Sequence, residues 1–318
     1  MDEQEIEIPI YLITGFLESG KTTFINFTVQ QEYFQIDEPT LLITCEEGEV
    51  EYDEAMLLKH NTVLEVLEEP EDLTRDKLRM FQRKYRPDRV ILEYNPLWGV
   101  KNLEEMNLPR GWGIVQHIVT VDASTFQIYM NNMKSLFVEM VRNADMVMFN
   151  RCKKEQPLAN FRRSIKVVNP GCEILFEDEE GELTDIFEDA VPYDLNADVI
   201  EIEDIDYGIF YVDMRDHPER YQGKTVKFKG MVLKSRDVGA NFFVPGRMAM
   251  TCCADDTTFS GYVCQSKNAQ KLPMGSWVDV TATVGWKYLD VYHEEGPVLK
   301  ARAIRSAKAP ESELVYFN

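Results

Sequence analysis

Residues 15–23, GFLESGKTT, have the residue types and the spacing of a loop that binds a phosphate chain. The glycines and Lys21–Thr22 satisfy the pattern GxxxxGK followed by Ser or Thr. Glycines let backbone N–H groups approach phosphate oxygens, the lysine reaches the terminal phosphates, and the threonine hydroxyl can hold Mg²⁺. We therefore predict catalytic roles for Lys21 and Thr22, a place for Thr22 at the metal, and nucleotide contacts from Gly15, Glu18, Ser19, Gly20, Lys21, Thr22 and Thr23.

Cysteines near the C-terminus form a second group with metal-binding chemistry. Cys252, Cys253 and Cys264 are the densest set of soft ligands, and Asp255 or His293 could complete a site. Thiolates suit Zn²⁺ and Cu(I). Adjacent residues of a strand point to opposite faces, so at most one of the cysteine pair joins Cys264 unless the strand ends or bulges there. The alternative is that these thiols are small apolar residues of the core.

The elements that would carry the first site alternate regularly between about residues 8 and 175. Short apolar runs are separated by helix-length amphipathic stretches, and the runs are IPIYLIT, PTLLITC, DRVILEY, HIVTVD and DMVMFN. This alternation predicts an α/β fold with a mostly parallel P-loop NTPase-type sheet and helices on both faces. Ligands of such sheets bind beyond the carboxyl ends of the strands, where GFLESGKTT falls. A chance glycine-rich turn would need neither the preceding strand nor the following helix.

The pattern changes near residue 200. From Tyr207 onward, five short strands separated by turn residues predict a C-terminal antiparallel OB-like β-barrel. Residues 1–206 carry 19 Lys and Arg against 43 Asp and Glu, whereas residues 207–318 carry 15 against 12. We therefore expect two domains, a P-loop nucleotide-binding domain over 1–200 and an OB-like β-barrel domain over 207–318.

The N-terminal segments resemble those of the CobW-like GTPases, which are P-loop metal chaperones and insertases. The resemblance covers about residues 8–176 and includes GFLESGKTT, ITCEEGEVEYD, VILEY, TVDA, ADMVMFNR and VVNPGCEI in the family's order. It implies that Glu46 and Asp53 are switch residues near Mg²⁺ or a bound metal and that Glu93 ends the Walker B strand, and it implies catalytic roles for Glu46 and Glu93. It also implies that Asn150 and Arg151 contact the base of GTP or another NTP.

Three departures from the family pattern bear on activity. The family's Cys-x-Cys-Cys metal motif is absent, because residues 61–73 read NTVLEVLEEPEDL. Pro96 replaces the glycine whose N–H senses the γ-phosphate, and proline has no N–H to donate. Lys153 replaces the aspartate that accepts hydrogen bonds from guanine, and an ammonium is only a donor. We therefore expect weak discrimination for guanine and slow hydrolysis.

The C-terminal segment has a resemblance of its own. The stretches YQGKTVKFKG, FFVPGRMAMTCCADD and ELVYFN are similar to the C-terminal module of small uncharacterised bacterial proteins that accompany predicted permeases. The resemblance implies a transporter as a neighbour and does not imply a chemistry.

Composition excludes several other classes of protein. The 318-residue chain has a net charge of −21, which disfavours nonspecific binding to nucleic acid or anionic membranes. No segment approaches the roughly 18 to 20 apolar residues of a membrane span, and the N-terminus MDEQEIEIP is acidic where a signal peptide would be basic. Six scattered cysteines do not resemble a secreted disulfide framework. We therefore expect a cytoplasmic protein without a nucleic-acid partner.

These observations lead to two functional hypotheses. The first is a Mg-dependent nucleotide-binding protein, a slow GTPase or NTPase in metal homeostasis or transporter support, with a metal-recipient protein or a permease as its partner and Zn²⁺ as a further candidate ligand. The second is a nucleotide-sensing adaptor that does not hydrolyse nucleotide and whose barrel is a protein-interaction module.

Overall fold

The computed structural model describes residues 6–45, 48, 50–183, 191–235, 238–250, 257–292 and 294–315. The chain forms two compact units, residues 1–186 and residues 187–318. Within the described ranges, no helix has the length and apolar character needed to cross a membrane.

The first unit is built on a seven-stranded sheet with the order β3-β2-β4-β1-β5-β6-β7. Every neighbouring pair is parallel. Its strands are β1 (Ile8–Thr14), β2 (Thr40–Thr44), β3 (Thr62–Val66), β4 (Arg89–Glu93), β5 (Trp112–Asp122), β6 (Met146–Asn150) and β7 (Glu173–Phe176). Its helices are α1 (Lys21–Val29), α2 (Glu54–Lys59), α3 (Arg75–Tyr85), α4 (Val100–Glu105), α5 (Phe126–Asn132), α6 (Lys134–Arg142) and α7 (Leu158–Val168). The predicted parallel sheet with helices is confirmed.

The strands of this sheet are apolar on both faces, as expected of a parallel sheet that helices cover on both sides. In β1, Ile10 and Leu12 belong to one buried cluster, whereas Ile13 belongs to another. The neighbouring residues Leu41 and Leu42 of β2 divide between the same two clusters. Alternate side chains of a strand point to opposite faces, so each face carries its own core. This explains the continuous apolar runs of the sequence.

The position of β1 at the centre of the sheet brings chemistry-bearing residues together. β4 and β5 pair with β1 on either side, and β6 pairs with β5. The register places Ile13 of β1 beside Glu93, and Asp122 beside Asn150. In parallel strands these carboxyl ends meet at one edge, and the loop that follows β1 lies at that edge.

The second unit contains an eight-stranded mixed sheet. Its elements are β8 (Ile200–Glu201), α8 (Tyr207–Asp216), β9 (Thr225–Leu233), β10 (Phe242–Met250), β11 (Thr257–Gly261), β12 (Cys264–Gln265), β13 (Trp277–Leu289), β14 (Glu294–Ser306) and β15 (Leu314–Val315). The longest pairing is the antiparallel hairpin of β13 and β14, whereas β8 pairs with β9, β12 with β14, and β15 with β10 in parallel. The sheet is therefore mixed where an antiparallel one was predicted, and the OB-like barrel stays a prediction.

Candidate functional site

The loop after β1 has a backbone that only particular residues can adopt. Gly15 and Gly20 have φ values of 149° and 95°, and Glu18 has φ 61°. A Cβ atom on Gly15 would lie 2.4 Å from both the Thr120 carbonyl oxygen and Ser19 Oγ, and one on Gly20 would lie 2.6 Å from Asn150 Nδ2. Both glycines are therefore required by backbone conformation and by close contacts.

Lys21 lies inside this loop. Its side chain is only 3% exposed, and Nζ donates hydrogen bonds of 3.0 Å to the carbonyl oxygens of Gly15 and Phe16. Ser19 Oγ hydrogen-bonds Thr120 Oγ1 on β5 at 2.8 Å, which joins the loop to the neighbouring strand. The loop thus holds the Lys21 ammonium at the N-terminus of α1. Both this positive charge and the dipole of the helix favour binding of an anion there.

Glu93 at the end of β4 accepts hydrogen bonds from three hydroxyl groups. Thr22 Oγ1 donates to Oε1 at 2.9 Å, Thr44 Oγ1 to Oε2 at 3.2 Å, and the Tyr52 hydroxyl to Oε2 at 2.6 Å. Glu93 itself is 2% exposed. A carboxylate beside a threonine hydroxyl at the start of α1 is the hard oxygen donor set that Mg²⁺ prefers. The described residues therefore fit a Mg²⁺ site at Thr22 and Glu93.

Asn150 and Arg151 contact the loop from the end of β6. Asn150 Nδ2 donates to the Ser19 carbonyl oxygen at 2.7 Å, and Arg151 Nη1 donates to that of Glu18 at 3.0 Å. Asn150 Oδ1 is buried and accepts no hydrogen bond from the described residues. A buried acceptor without a donor is costly unless a ligand or solvent satisfies it. This orphaned atom beside the loop is consistent with a nucleotide site.

Asp122 at the end of β5 also belongs to this edge. It forms an ion pair with Arg151 and accepts hydrogen bonds from the hydroxyl and the backbone N–H of Ser124. Burial raises the pKa of Asp122, but the hydrogen bonds from Ser124 and Arg151 outweigh burial, and the net pKa is lowered. Asp122 therefore carries a negative charge at neutral pH and orients Arg151.

Several predicted site residues lie elsewhere or are not described. Asp53 is exposed and caps α2, where its Oδ1 accepts hydrogen bonds from the N–H groups of Ala55 (3.0 Å) and Met56 (3.1 Å). Glu18 and Thr23 belong to the loop and to α1, and both side chains are exposed. Glu46 lies outside the described residues. The metal roles of Asp53 and Glu46 stay predictions.

The predicted soft-metal residues are only partly described. Cys252, Cys253, Asp255 and His293 lie outside the described residues. Cys264 is fully buried in β12, and burial raises the pKa of its thiol to about 12. Within the part of the chain that the structure describes, no three His, Cys, Asp or Glu residues are grouped as a metal site would require. The soft-metal site that includes Cys264 stays a prediction, because its other predicted ligands lie outside the described residues.

Pro96, which departs from the family pattern, lies in a regular element shortly after Glu93. Pro96 begins the 3-10 helix Pro96–Trp98, and the side chain of Asn95 caps it by accepting a hydrogen bond from the Leu97 N–H at 3.0 Å. A proline fits this first helical position because it needs no N–H there. The backbone at residue 96 therefore has no donor to offer a phosphate.

Sequence reasoning missed Tyr52, Thr44, Thr120 and Asp122. Thr120 and Asp122 stand in TVDA, and Thr44 and Tyr52 stand in ITCEEGEVEYD, so each lies in a segment that carried the family resemblance. Tyr52 directly precedes the predicted Asp53, but nothing in its spacing indicates a contact with Glu93. Contacts of this kind depend on how the loops fold over the sheet edge.

Comparisons with known proteins agree with this architecture. Residues 9–176 match the family "CobW/HypB/UreG, nucleotide-binding domain", and residues 180–317 match the "DUF1980 C-terminal domain". No curated protein sequence matches the chain.

Solved structures of other proteins are similar to the chain at low identity. The Zn(II)-bound YjiA GTPase from E. coli is 20% identical, with a TM-score of 0.42, and the match covers 56% of this chain and 59% of that one. The hydrogenase maturation factor HypB from Archaeoglobus fulgidus is 16% identical, with a TM-score of 0.38, and the match covers 55% and 83%. The chain thus spans about three fifths of the YjiA structure. Because the family match covers more than half of its residues, the chain belongs to the CobW/HypB/UreG nucleotide-binding family.

Proposed function

We propose that the chain binds a Mg-nucleoside triphosphate at residues 15–23 and hydrolyses it slowly, in metal homeostasis or in support of a transporter. The observation that supports this proposal is the buried Lys21 ammonium inside a loop that requires glycine at positions 15 and 20. The next residue, Thr22, donates a hydrogen bond to Glu93. A phosphate chain would supply the anion that this loop and the start of α1 favour.

Each residue of the proposed site has a separate task. Backbone N–H groups of the loop and Lys21 would bind phosphate oxygens, while Thr22 and Glu93 would hold Mg²⁺. When bound, Mg²⁺ supplies charge neutralisation for the phosphates. Asn150 and Arg151, at the end of β6, donate hydrogen bonds to backbone carbonyl oxygens of the loop and would lie beside the base.

A specific observation favours the alternative of an adaptor that does not hydrolyse nucleotide. Pro96 has no N–H at the position where the family senses the γ-phosphate. Loss of that contact removes one means by which a γ-phosphate orders a switch segment. In this alternative the second unit is a protein-interaction module.

A phosphate-release assay separates the two functions. Purified protein is incubated with GTP and, separately, with ATP at matched Mg²⁺ concentrations, and Lys21→Met serves as the background control. Slow release above that background supports the hydrolase. Saturable nucleotide binding without release supports the adaptor. Absence of binding to both nucleotides would contradict the proposal.

Base preference gives the next test. Lys153 is exposed after β6, and its backbone N–H donates to Gln156 Oε1 at 2.7 Å. Because an ammonium cannot accept hydrogen bonds from guanine, we expect GTP and ATP to bind with affinities that differ by less than about 100-fold. Lys153→Asp should raise the preference for GTP by about 1 to 3 kcal/mol, the value of a paired acceptor.

Equilibrium titration with fluorescent GTP and ATP analogues measures this preference. Lys154→Asp is the matched control, because it makes the same charge change at an exposed neighbouring residue. A wild-type preference for GTP above about 100-fold would contradict the proposed weak base recognition.

The second unit is the part of the chain to which we assign contact with a partner protein. We propose an OB-like module that docks a metal-recipient protein or a permease. The strand pairings support only the OB-like part of this proposal, because β10 pairs with β9 as well as with β12, and β13 and β14 link those two strands. A closed set of pairings leaves few free edges.

Zinc binding by the second unit is a further prediction. If Cys252 or Cys253 joins Cys264, the full chain should bind about one Zn²⁺ per protein, with the remaining ligands from neighbouring residues or water. Cys252→Ser with Cys253→Ser should lose that ion, and Cys172→Ser, a buried thiol of the first unit, is the control. Metal analysis after dialysis is the measurement. Equal zinc content in all variants would make these cysteines core residues.

A further inference from the structure

Tyr52 makes a contact that the proposed function does not yet explain. Its hydroxyl donates to Glu93 Oε2 at 2.6 Å, which is the shortest of the three hydrogen bonds to that carboxylate. Burial first, and then the charge of Glu93, raise the pKa of the phenol far above its ordinary value. The hydroxyl thus keeps its proton and acts as a donor to Glu93.

The two ends of the Tyr52 side chain are held differently. The ring packs against the buried cluster that includes Ile25 of α1 and Leu57 of α2. The hydroxyl is held by Glu93 on β4. Tyr52 also directly precedes Asp53, whose carboxylate caps α2. One side chain therefore joins the core to the acidic end of β4, and it stands next to the residue that caps α2.

The three hydrogen bonds to Glu93 are distributed over the two oxygens of its carboxylate. Oε2 receives Tyr52 and Thr44, whereas Oε1 receives Thr22. A threonine hydroxyl can donate its proton to Oε1 while its lone pairs face a cation. With Oε2 held in place, Oε1 and Thr22 keep the orientation that a Mg²⁺ site needs, because a cation site tolerates little misplacement of its ligands.

The proline at position 96 gives the contact between Tyr52 and Glu93 a further significance. Pro96, three residues beyond Glu93, offers no N–H, so a contact from phosphate to the backbone N–H of that residue is missing. The hydrogen bond from Tyr52 to Glu93 runs between the end of β4 and the residue before the N-cap of α2, and it joins residues 41 positions apart. It provides a physical link between the cation site and the start of that helix.

We propose that Tyr52 is a positioning residue, which fixes Glu93 for Mg²⁺ and couples occupation of the cation site to the first turn of α2. The inference rests on the proposed Mg-nucleotide function and assigns a regulatory role within that site. Tyr52 does not touch the reacting atoms and transfers no proton. It acts through the orientation of Glu93.

Tyr52→Phe tests the proposal, because it keeps the ring in the core and removes only the hydroxyl. The Mg²⁺ concentration that half-maximally supports binding of a fluorescent nucleotide should rise about tenfold, since a hydrogen bond to a charged acceptor is lost. Nucleotide affinity in EDTA should not change. That split distinguishes positioning of the cation site from a general loss of structure.

Amide hydrogen exchange gives a readout that does not depend on turnover. In the wild type, Mg-nucleotide should slow exchange over residues 54–60 relative to nucleotide in EDTA. In Tyr52→Phe this Mg²⁺-dependent protection should be lost. Tyr94→Phe is the matched control, because Tyr94 is the residue after Glu93 and its hydroxyl donates instead to the Gly99 carbonyl oxygen at 2.9 Å.

These experiments distinguish failure of the proposed Mg-nucleotide function from failure of the proposed role of Tyr52. If the wild type binds no nucleotide with Mg²⁺, the proposed function fails. If the wild type binds and Tyr52→Phe has the same Mg²⁺ requirement and the same protection of residues 54–60, the role of Tyr52 is overturned while the function stands. A lower Mg²⁺ requirement in Tyr52→Phe would also overturn it, because the phenol would then compete with the cation.

Discussion

Lys21→Met is expected to lose nucleotide binding. Removing one partner of a desolvated, hydrogen-bonded charge pair costs about 2 to 5 kcal/mol of binding free energy, which is about 30-fold to several-thousand-fold in affinity. Nζ lies inside the loop, 3.0 Å from each of two carbonyl oxygens, so the substitution removes a positive charge from the place where the phosphates would bind. Equilibrium titration with a fluorescent nucleotide at saturating Mg²⁺ is the measurement.

Methionine is the better replacement because Lys21 is buried. Lys21 is only 3% exposed, so a replacement must also fill the space that the lysine side chain occupies. Lys21→Ala would leave a void as well as two carbonyl oxygens without this donor, at a cost of about 1 to 3 kcal/mol in the free energy of unfolding. Methionine fills similar volume without the charge.

The control for Lys21→Met is Lys59→Met, which removes an exposed lysine from the last turn of α2. It should bind nucleotide as the wild type does. Thermal unfolding of both variants shows whether each remains folded. A folded Lys21→Met protein with wild-type affinity would refute the assignment of residues 15–23 as the phosphate site.

Gly15→Ala is expected to destabilise the first unit and to lose nucleotide binding together. The backbone at Gly15 has φ 149°, and the new Cβ would lie 2.4 Å from a backbone oxygen of β5. Strain and overpacking each cost about 1 to 3 kcal/mol. The loop relieves the overlap only by moving away from Thr120, which breaks the hydrogen bond between Ser19 and Thr120. Denaturant unfolding and nucleotide titration measure the two effects.

Gly181→Ala is the matched control for that substitution. Gly181 has φ 129°, but a Cβ atom there would meet nothing within 4 Å. The control therefore carries the backbone strain without the overlap, and it should bind nucleotide normally. If Gly15→Ala and Gly181→Ala lose the same stability and both bind nucleotide, the close packing of Gly15 against β5 has no role in the site.

Local patterning was sufficient to predict the parallel sheet of the first unit and the helices that cover it. Runs such as IPIYLIT are apolar at every position, and a strand with two buried faces requires helices on both sides of its sheet. The glycine spacing before Lys21 predicts a phosphate loop, because positive φ and close backbone approach leave few other residues possible. The second unit was harder, because short strands and turns predict strands without specifying which of them pair. The parallel pairings of β8, β12 and β15 depend on long connections.

Contacts between residues that are distant in the chain came only from the folded structure. Thr22 and Glu93 are 71 residues apart, and Arg151 and Asp122 are 29 apart. The family resemblance named Asp53 as a metal residue, yet Asp53 caps a helix while its neighbour Tyr52 reaches Glu93. Which of two adjacent side chains faces the sheet edge depends on the path of the preceding loop and on the packing of the aromatic ring. Periodicity in the sequence does not encode that path, so the partner of Glu93 could be identified only once the strands and helices were in register.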